Sequence, residues 1–402
     1  MNFSQIKFVL VFGLIIFSFS LTANPLGMKV VKAHASSEQI ERLKLIKAED
    51  GAVLTWDDFS ISSSEITRFI MPTKDSIVVN VVTEENPSKI LGSLESNGKI
   101  LLINPNGIIV GEKAHIQASN FLASVMNWID DNYCLEKMTF ESRKKASFIN
   151  FGTIEAINGN SYLLGINLEN KGNISSLNGK AILTAAKNLT YDLGTDNIEI
   201  DTTSNEIEDV GIENTGNIKA QKVLFLADGN LYKLSANVNG KIDIKGINFK
   251  GEIYLQAIDG KIDFNGSLLA KNEDGSGGKI QILADKIKVK EDAIIDGSGI
   301  NDGGKILIGV KDENDLINLS NDIHIYPKSQ IKADSVENGN GGKIIIGAEN
   351  SSILLGILSA RGGCDSGDGG TIQLLFGNNK IFDAKTDLTA PNGNEGQIDF
   401  VR

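Results

Sequence analysis

A recurring strand opening constrains the fold of this chain more than any other feature of its sequence. The tetrapeptide Gly-Gly-Lys-Ile begins at Gly277, Gly303 and Gly341, and Gly-Gly-Thr-Ile begins at Gly369. The successive offsets are 26, 38 and 28 residues, and each opening starts a run in which apolar and polar residues alternate. A short unit repeated at such intervals is typical of a solenoid, in which each unit packs on its neighbours.

One repeat contains three strand-length runs, at residues 280–283, 287–289 and 293–295. Three runs in about 26 residues predict one circuit of a three-sided coil, and the offset of 38 residues predicts a coil with an inserted loop. Elsewhere, short runs of β-formers are stopped by Asn-Gly and Asp-Gly dipeptides, which suit sharp corners. At ~24 residues per coil, the chain would form roughly 15 coils.

Composition agrees with an elongated β body. The chain has 42 glycines and only 6 prolines, and Ile, Leu and Val dominate its apolar residues. A β-sandwich would also show alternating strands, but one of this length would need domain boundaries that the composition does not show. We therefore predict an all-β, single-stranded, right-handed parallel β-helix.

Residues 1–23 have the pattern of a signal peptide. Lys7 precedes an uncharged run from Phe8 to Thr22, and the small residue Ala23 is the predicted cleavage position. The run is shorter than the ~20 residues that span a membrane, and no later segment is as long. We therefore expect a translocated chain without a membrane span after the signal is removed.

The charge and the rare residue types limit the possible chemistry. The formal net charge of −12 disfavours nucleic acid as a partner. His34, His115 and His324 are the only histidines, so a catalytic triad or a multi-histidine metal site has little to draw on. Cys134 and Cys364 match no metal or redox spacing, and whether they pair stays open. No cofactor is predicted.

The stretch from Trp56 to Met126, together with Leu54 and Thr55 directly before it, carries a family resemblance. It contains Leu54-Thr55-Trp56-Asp57-Asp58-Phe59-Ser60-Ile61, then Asn104-Pro105-Asn106-Gly107-Ile108, then Ala118-Ser119-Asn120-Phe121-Leu122-Ala123-Ser124. In this order and spacing, these segments resemble the two-partner-secretion (haemagglutination activity) domain of the filamentous haemagglutinin family. Read physically, residues 104–107 predict a β-turn in which Pro105 presets the second position.

The resemblance implies a protein that leaves the cell through a dedicated outer-membrane β-barrel transporter, its expected partner. It implies a two-partner-secretion domain at residues 24–150, with an N-terminal cap and the first coils, followed by a β-helix repeat region at residues 151–402. It also implies an extra-helical hairpin at residues 127–147, where the strand rhythm breaks. The residues expected to shape the transporter-recognition region are Trp56, Phe59, Asn80, Asn97, Gly98, Asn104, Pro105, Asn106, Gly107 and Gly111.

Three functions after export stay open. The first is a non-enzymatic, adhesin-like rod, secreted or held at the cell surface after passage through the periplasm, with a host-surface or cell–cell ligand. The second is a β-helical polysaccharide lyase or hydrolase, for which Arg361, Asp365 and Asp368 are the best local candidates. Their glycine-rich setting is more typical of a repeat corner. The third is a secretion module whose effector region is encoded elsewhere.

Overall fold

Strands make up the regular structure of this protein. The computed structural model describes residues 24–130, 132–201, 211–228, 235–238, 241–246, 251–312 and 319–401, and these ranges contain strands, turns and bends but no helix. The predicted signal peptide and Ala23 lie outside them. Within the same ranges, nothing helical is long and apolar enough to cross a membrane.

The strands share short lengths and glycine- or asparagine-rich corners. In chain order they are β1 (Lys29–Lys32), β2 (Ala35–Ile40), β3 (Leu43–Ala48), β4 (Ala52–Trp56), β5 (Ile66–Ile70), β6 (Ile77–Val82), β7 (Ser88–Ile90), β8 (Ser93–Ser96), β9 (Lys99–Ile103), β10 (Ile108–Val110), β11 (His115–Ala118), β12 (Phe121–Ser124), β13 (Asn127–Trp128), β14 (Lys137–Glu141), β15 (Ser147–Asn150), β16 (Thr153–Ala156), β17 (Ser161–Gly165), β18 (Asn167–Asn170), β19 (Asn173–Ala185), β20 (Asn188–Asp192), β21 (Asn197–Ile200), β22 (Gly211–Asn214), β23 (Asn217–Asp228), β24 (Ser235–Val238), β25 (Lys241–Gly246), β26 (Glu252–Phe264), β27 (Ser267–Asn272), β28 (Lys279–Val289), β29 (Ile294–Asp296), β30 (Lys305–Ile308), β31 (Ser320–Ile325), β32 (Gln330–Lys332), β33 (Lys343–Leu354), β34 (Ile357–Ser359), β35 (Thr371–Phe376), β36 (Asn379–Phe382), β37 (Lys385–Asp387) and β38 (Gln397–Val401).

These strands wind into three parallel ladders, which confirms the predicted β-helix. One ladder joins β3, β5, β8, β11, β16, β19, β23, β25, β27, β29, β32, β34 and β37. The second runs from β4 through β6 and β9 to β35 and β38, and the third from β7 and β10 to β36. The first ladder has thirteen levels, fewer than the roughly 15 coils expected, because insertions lengthen several circuits.

The Gly-Gly openings lie in register, as their repetition predicted. Lys279 pairs with Lys305, Lys305 with Lys343, and Lys343 with Thr371 in successive coils. The coil with the offset of 38 residues carries its extra length beyond β30, where Val310 and Leu319 form an antiparallel bridge. The register of β30 with β33 confirms that the extra length belongs to one coil, and residues 313–318 of the expected loop lie outside the described residues.

Alternation along each strand fills the helix interior. Ile280, Ile306, Ile344 and Ile372 follow the openings in register and are each 0% exposed, and this stacking continues along the ladder. Side chains that face inward at successive levels thus form one continuous apolar core, in which each coil buries the face of the one before it.

The N-terminal half of the helix carries two further elements, a cap and a small antiparallel sheet. β1 pairs antiparallel with β4, and β2 pairs antiparallel with β3, which forms the predicted N-terminal cap. The predicted hairpin at residues 127–147 is also present, as β13 and β14. It is half of a larger antiparallel sheet, ordered β13–β14–β20–β21, which we call the extra-helical sheet. Its partner hairpin, β20–β21, was not predicted.

The extra-helical sheet covers an outer face of the helix. Met138, Phe140 and Leu189 of the sheet are at most 1% exposed and pack in one cluster with Leu101 and Leu122 of the helix. This second apolar core fixes the sheet against the coils that contain the family-like motifs.

Candidate functional site: the N-terminal motif region

Trp56 and Asn80 join the first coils from inside the helix. The indole Nε1 of Trp56 donates to Asn80 Oδ1 at 2.9 Å, and Asn80 Nδ2 donates to the carbonyl oxygen of Leu101 at 3.3 Å. Phe59 packs edge-on against the Trp56 ring, with centroids 5.4 Å apart, and stacks on Phe69 at 6.5 Å. Trp56, Phe59 and Asn80 are each 0% exposed. In the folded protein, these three residues therefore fix the coils rather than offer a surface to a partner.

The predicted turn at residues 104–107 is present. Gly107 N donates to the carbonyl oxygen of Asn104 at 3.0 Å, and Asn106 N donates to Asn104 Oδ1 at 3.0 Å. Asn104 Nδ2 donates to the carbonyl oxygen of Asn86 and to Ser88 Oγ, both at 2.9 Å. Gly107 has a φ of 118°, a conformation that favours glycine. The buried Asn104 side chain thus ties the turn to the preceding corner.

Asn97, Gly98 and Gly111 form two tight corners. Asn97 Oδ1 accepts from Met71 N at 2.8 Å, and Asn97 Nδ2 donates to the carbonyl oxygen of Met71 at 2.7 Å. A Cβ at Gly98 would lie 2.7 Å from the carbonyl oxygen of Ser76, so no side chain fits there. At Gly111, a Cβ would lie 2.8 Å from a methyl group of Leu91.

Few of the motif residues reach the surface. Asn97 is exposed, whereas Pro105, Asn106 and Gly111 are half-buried. Asn106 Nδ2 donates to the carbonyl oxygen of Glu84 at 2.8 Å, and Asn106 Oδ1 accepts from Lys144 Nζ at 2.8 Å. A partner of the folded domain can therefore touch this motif only at Asn97 and at the partly exposed corner around Asn106.

An asparagine ladder, defined here as Asn150, Asn170 and Asn214, continues the corner beyond the predicted motif. Asn150 Nδ2 donates to Asn170 Oδ1 at 2.7 Å, and Asn170 Nδ2 donates to Asn214 Oδ1 at 2.6 Å. All three side chains are 0% exposed. The sequence analysis missed them, although each stands two residues before a Gly-x-Ile repeat. That shared position was the available signal.

A polar cluster lies where the extra-helical sheet meets the helix. Asp196, in the turn between β20 and β21, accepts hydrogen bonds from the Tyr162 hydroxyl, from Asn160 Nδ2 at 2.8 Å and from Lys180 Nζ at 2.9 Å. Burial raises the pKa of Asp196 to about 6, although the bond from Asn160 and the charge of Lys99 lower it. The adjoining cavity of about 210 Å³ is too small for a large cofactor. The cluster fastens the tip of the sheet.

The N-terminal cap differs from the rest of the chain in charge and exposure. Residues 24–48 contain five basic and two acidic residues, in a chain whose net charge is −12. All four residues of β1 are exposed, and Leu26 beside it is 54% exposed. Among the described residues, β1 pairs only with β4 and β2 only with β3. The cap therefore presents basic, partly apolar strand edges.

The candidate enzymatic residues do not converge. Arg361 Nη2 lies 3.0 Å from Asp334 Oδ2, and its Nε lies 3.8 Å from Asp387. Asp368 Oδ1 instead accepts from the backbone N of Asn394 at 2.7 Å. Throughout the described ranges, no three His, Cys, Asp or Glu side chains are grouped to hold a metal ion. Both cysteines are exposed free thiols.

Comparisons with known proteins agree with this architecture. The family model described as "TPS secretion domain" matches residues 29–282. A heme/hemopexin-binding protein of Haemophilus influenzae is 26% identical over 268 residues, which cover 62% of this chain and 29% of that protein. Another protein of that name and species is 25% identical over 330 residues, which cover 75% of this chain and 33% of that protein. The chain thus spans about a third of the length of these curated relatives.

A solved structure matches over nearly the whole chain. The crystal structure of the HMW1 secretion domain from Haemophilus influenzae superposes with a TM-score of 0.71 and 28% sequence identity. The match covers 91% of this chain and 100% of that one.

Proposed function

This chain belongs to the family of TPS secretion domains, and from that membership we propose that an outer-membrane β-barrel transporter recognises it and exports it through the periplasm. The observation that carries the proposal is the family match over residues 29–282, a segment that contains the cap and the motif corners. Residues 24–150 are the proposed recognition region. Its buried motif residues keep the coils in register, and its exposed edges supply the contact.

The N-terminal cap is the proposed contact surface. Its basic character favours an acidic partner surface, since complementary charge steers association. The edges of β1 and β2 that pair with no described strand can accept a strand from the partner by main-chain hydrogen bonding. Buried residues such as Trp56 and Asn104 then act indirectly, because they hold the coils on which the cap is seated.

After export, the proposed role is that of a non-enzymatic, adhesin-like rod that is secreted or stays at the cell surface. Parallel coils contact mainly their neighbours, so the coils beyond the recognition region can fold one after another as the chain emerges. Arg361 pairs with Asp334 rather than with Asp365 or Asp368, so the contacts of Arg361 do not support the candidate polysaccharide-cleaving site. The host-surface or cell–cell ligand would be met along the rod.

Charge reversal in the cap tests the recognition surface. The double variant Lys29→Glu/Lys32→Glu should weaken binding of residues 24–402 to the purified periplasmic domain of the transporter at least tenfold. The matched control, Lys380→Glu/Lys385→Glu, makes the same charge change on exposed residues at the other end of the rod and should bind as the wild type does. Equal weakening in both variants would contradict a specific cap surface, as would unchanged binding in the cap variant.

A further inference from the structure

A long polar groove runs along the C-terminal half of the helix, and the proposed export function does not use it. It encloses about 1400 Å³ between the openings of β28, β30, β33 and β35 and a stack of glycine-rich loops. We call it the glycine groove; its floor consists of Gly277–Gly278, Gly303–Gly304, Gly341–Gly342 and Gly369–Gly370.

The floor is bare backbone because side chains cannot fit there. A Cβ at Gly304 would lie 2.1 Å from the carbonyl oxygen of Gly278, and one at Gly342 would lie 2.0 Å from that of Gly304. Floor amides are already paired, since Gly304 N donates to the carbonyl oxygen of Gly297 and Gly342 N donates to that of Ala333. An extended peptide therefore has no open sheet edge to join along this floor.

One wall of the groove repeats at every coil. Lys279, Lys305, Lys343 and Thr371 are register partners, so their side chains recur at the strand spacing of ~4.8 Å. From Glu252, one coil earlier, to Thr371 the wall spans four coil steps, roughly 19 Å.

The opposite wall is ordered by its own ladder. Asn340 N donates to Asp302 Oδ1 at 3.0 Å, Asp368 N donates to Asn340 Oδ1 at 2.8 Å, and Asn394 N donates to Asp368 Oδ1 at 2.7 Å. These bonds fix the side chains of the loops that stand beside the floor. Lysine, amide and carboxylate side chains thus line one channel that repeats with each coil. The ammonium group of Lys279 lies over the Tyr254 ring, 5.0 Å from its centroid.

We propose that the glycine groove binds a linear, neutral polysaccharide whose axis follows the helix axis. Sugar hydroxyls both donate and accept hydrogen bonds, which suits walls of lysine on one side and aspartate and asparagine on the other. In an extended β-1,4-linked chain, alternate sugars have the same orientation and recur at about two strand spacings, so every second sugar meets an equivalent set of side chains. Five acidic and three basic side chains line the groove, which disfavours a polyanion.

The side chains that line the groove also determine the expected affinity for an oligosaccharide. None of the described residues that line it is aromatic, so sugar-ring stacking does not contribute. Affinity should therefore be modest and should rise with chain length up to four or five sugars, the length of the groove. Shorter oligosaccharides occupy only part of the repeated wall.

Calorimetric titration of residues 24–402 with cello-oligosaccharides and N-acetylchito-oligosaccharides of two to six sugars tests this inference. Binding of at least one series should strengthen with length and level off at four or five sugars. The double variant Lys305→Ala/Lys343→Ala should bind roughly tenfold more weakly. The control Lys332→Ala, a half-buried lysine on another ladder, should not change binding.

A second variant guards against misfolding. Thr371→Met removes the hydroxyl and places a longer, non-aromatic side chain at the end of the groove, so it should weaken binding of the longest oligosaccharides while the melting temperature is retained. The proposal is overturned if neither series binds at millimolar concentration, or if both groove variants bind as the wild type does. It is equally overturned if oligogalacturonate or an extended peptide binds more tightly than both neutral series.

Discussion

Asn104 offers the sharpest test of how the motif region works. Its side chain is 0% exposed and takes part in four hydrogen bonds: two donated by Nδ2, to Asn86 and Ser88, and two accepted by Oδ1 from Asn106. Replacement by alanine removes all four and leaves the Asn86 carbonyl and the Asn106 amide without these partners. At ~0.5–1.5 kcal/mol for each bond, Asn104→Ala should lower the free energy of unfolding by about 3 kcal/mol.

The assay combines stability with export. Equilibrium denaturation of residues 24–402 gives the free energy of unfolding, and the fraction of chain in the medium of transporter-bearing cells gives export. Asn178→Ala is the matched control, because Asn178 is an exposed corner asparagine with one hydrogen bond, to the carbonyl oxygen of Ile157. The control should lose no more than about 1 kcal/mol.

Structural and contact roles predict different results for Asn104→Ala. If Asn104 only shapes the coil, export should fall with stability and recover at lower temperature. A loss of less than 1 kcal/mol would refute the hydrogen-bond reasoning. Full loss of export at unchanged stability would refute the indirect role and assign Asn104 to the transporter contact.

Three further variants test other contacts. Trp56→Phe replaces the indole by the smaller benzene ring, which removes the donor to Asn80 and leaves a cavity in the core. It should cost about 2–4 kcal/mol by denaturation, and a loss near zero would contradict the structural role of Trp56. Asn170→Ala interrupts the asparagine ladder and should cost about 2–4 kcal/mol, while a cost below 1 kcal/mol would show that the ladder adds little. The pKa of Asp196 is raised to about 6 in the folded protein, so the folded protein keeps this proton to a higher pH than the unfolded chain does. The contribution of Asp196 to the free energy of unfolding therefore falls as pH rises from about 4 to 6. Asp196→Asn should remove that loss, on the order of 1 kcal/mol, and an equal pH dependence in both proteins would contradict the assignment.

The helix was predictable because its signal is periodic. The Gly-Gly openings predict the register directly. In the structure, Lys279, Lys305 and Lys343 are register partners at successive levels, as the sequence indicated. A corner that tolerates no Cβ in one coil meets the same requirement in the next, since the backbones stack. Glycine therefore repeats at the coil period and makes that period visible.

The extra-helical sheet was only half predictable. Residues 127–147 break the regular spacing of strands, and this break predicted the first hairpin. β20 and β21 are short runs that look like any coil strand, and β20 pairs with β14, about fifty residues earlier in the chain, so that Tyr191 lies opposite Met138. Local patterns do not encode such pairing, because partner choice depends on which outer face of the helix is apolar.

For the motif residues, too, the sequence pattern predicted some features and not others. Their order identified the family and the turn at Asn104, but not that Trp56, Phe59 and Asn80 point into the helix. In a parallel coil, burial follows from the register of neighbouring strands, which a single strand does not contain. The glycine groove escaped prediction for a related reason, since it exists only between stacked loops and the sheet.

Export of a truncated chain tests the central claim most directly. Cells that express the full chain or a chain lacking residues 24–126 behind the same signal would be compared with and without the β-barrel transporter, and the amount released into the medium measured. Release should require both the transporter and the N-terminal region, so the truncated chain should remain in the periplasm. Equal release of the two chains, or release that does not depend on the transporter, would contradict recognition through this region.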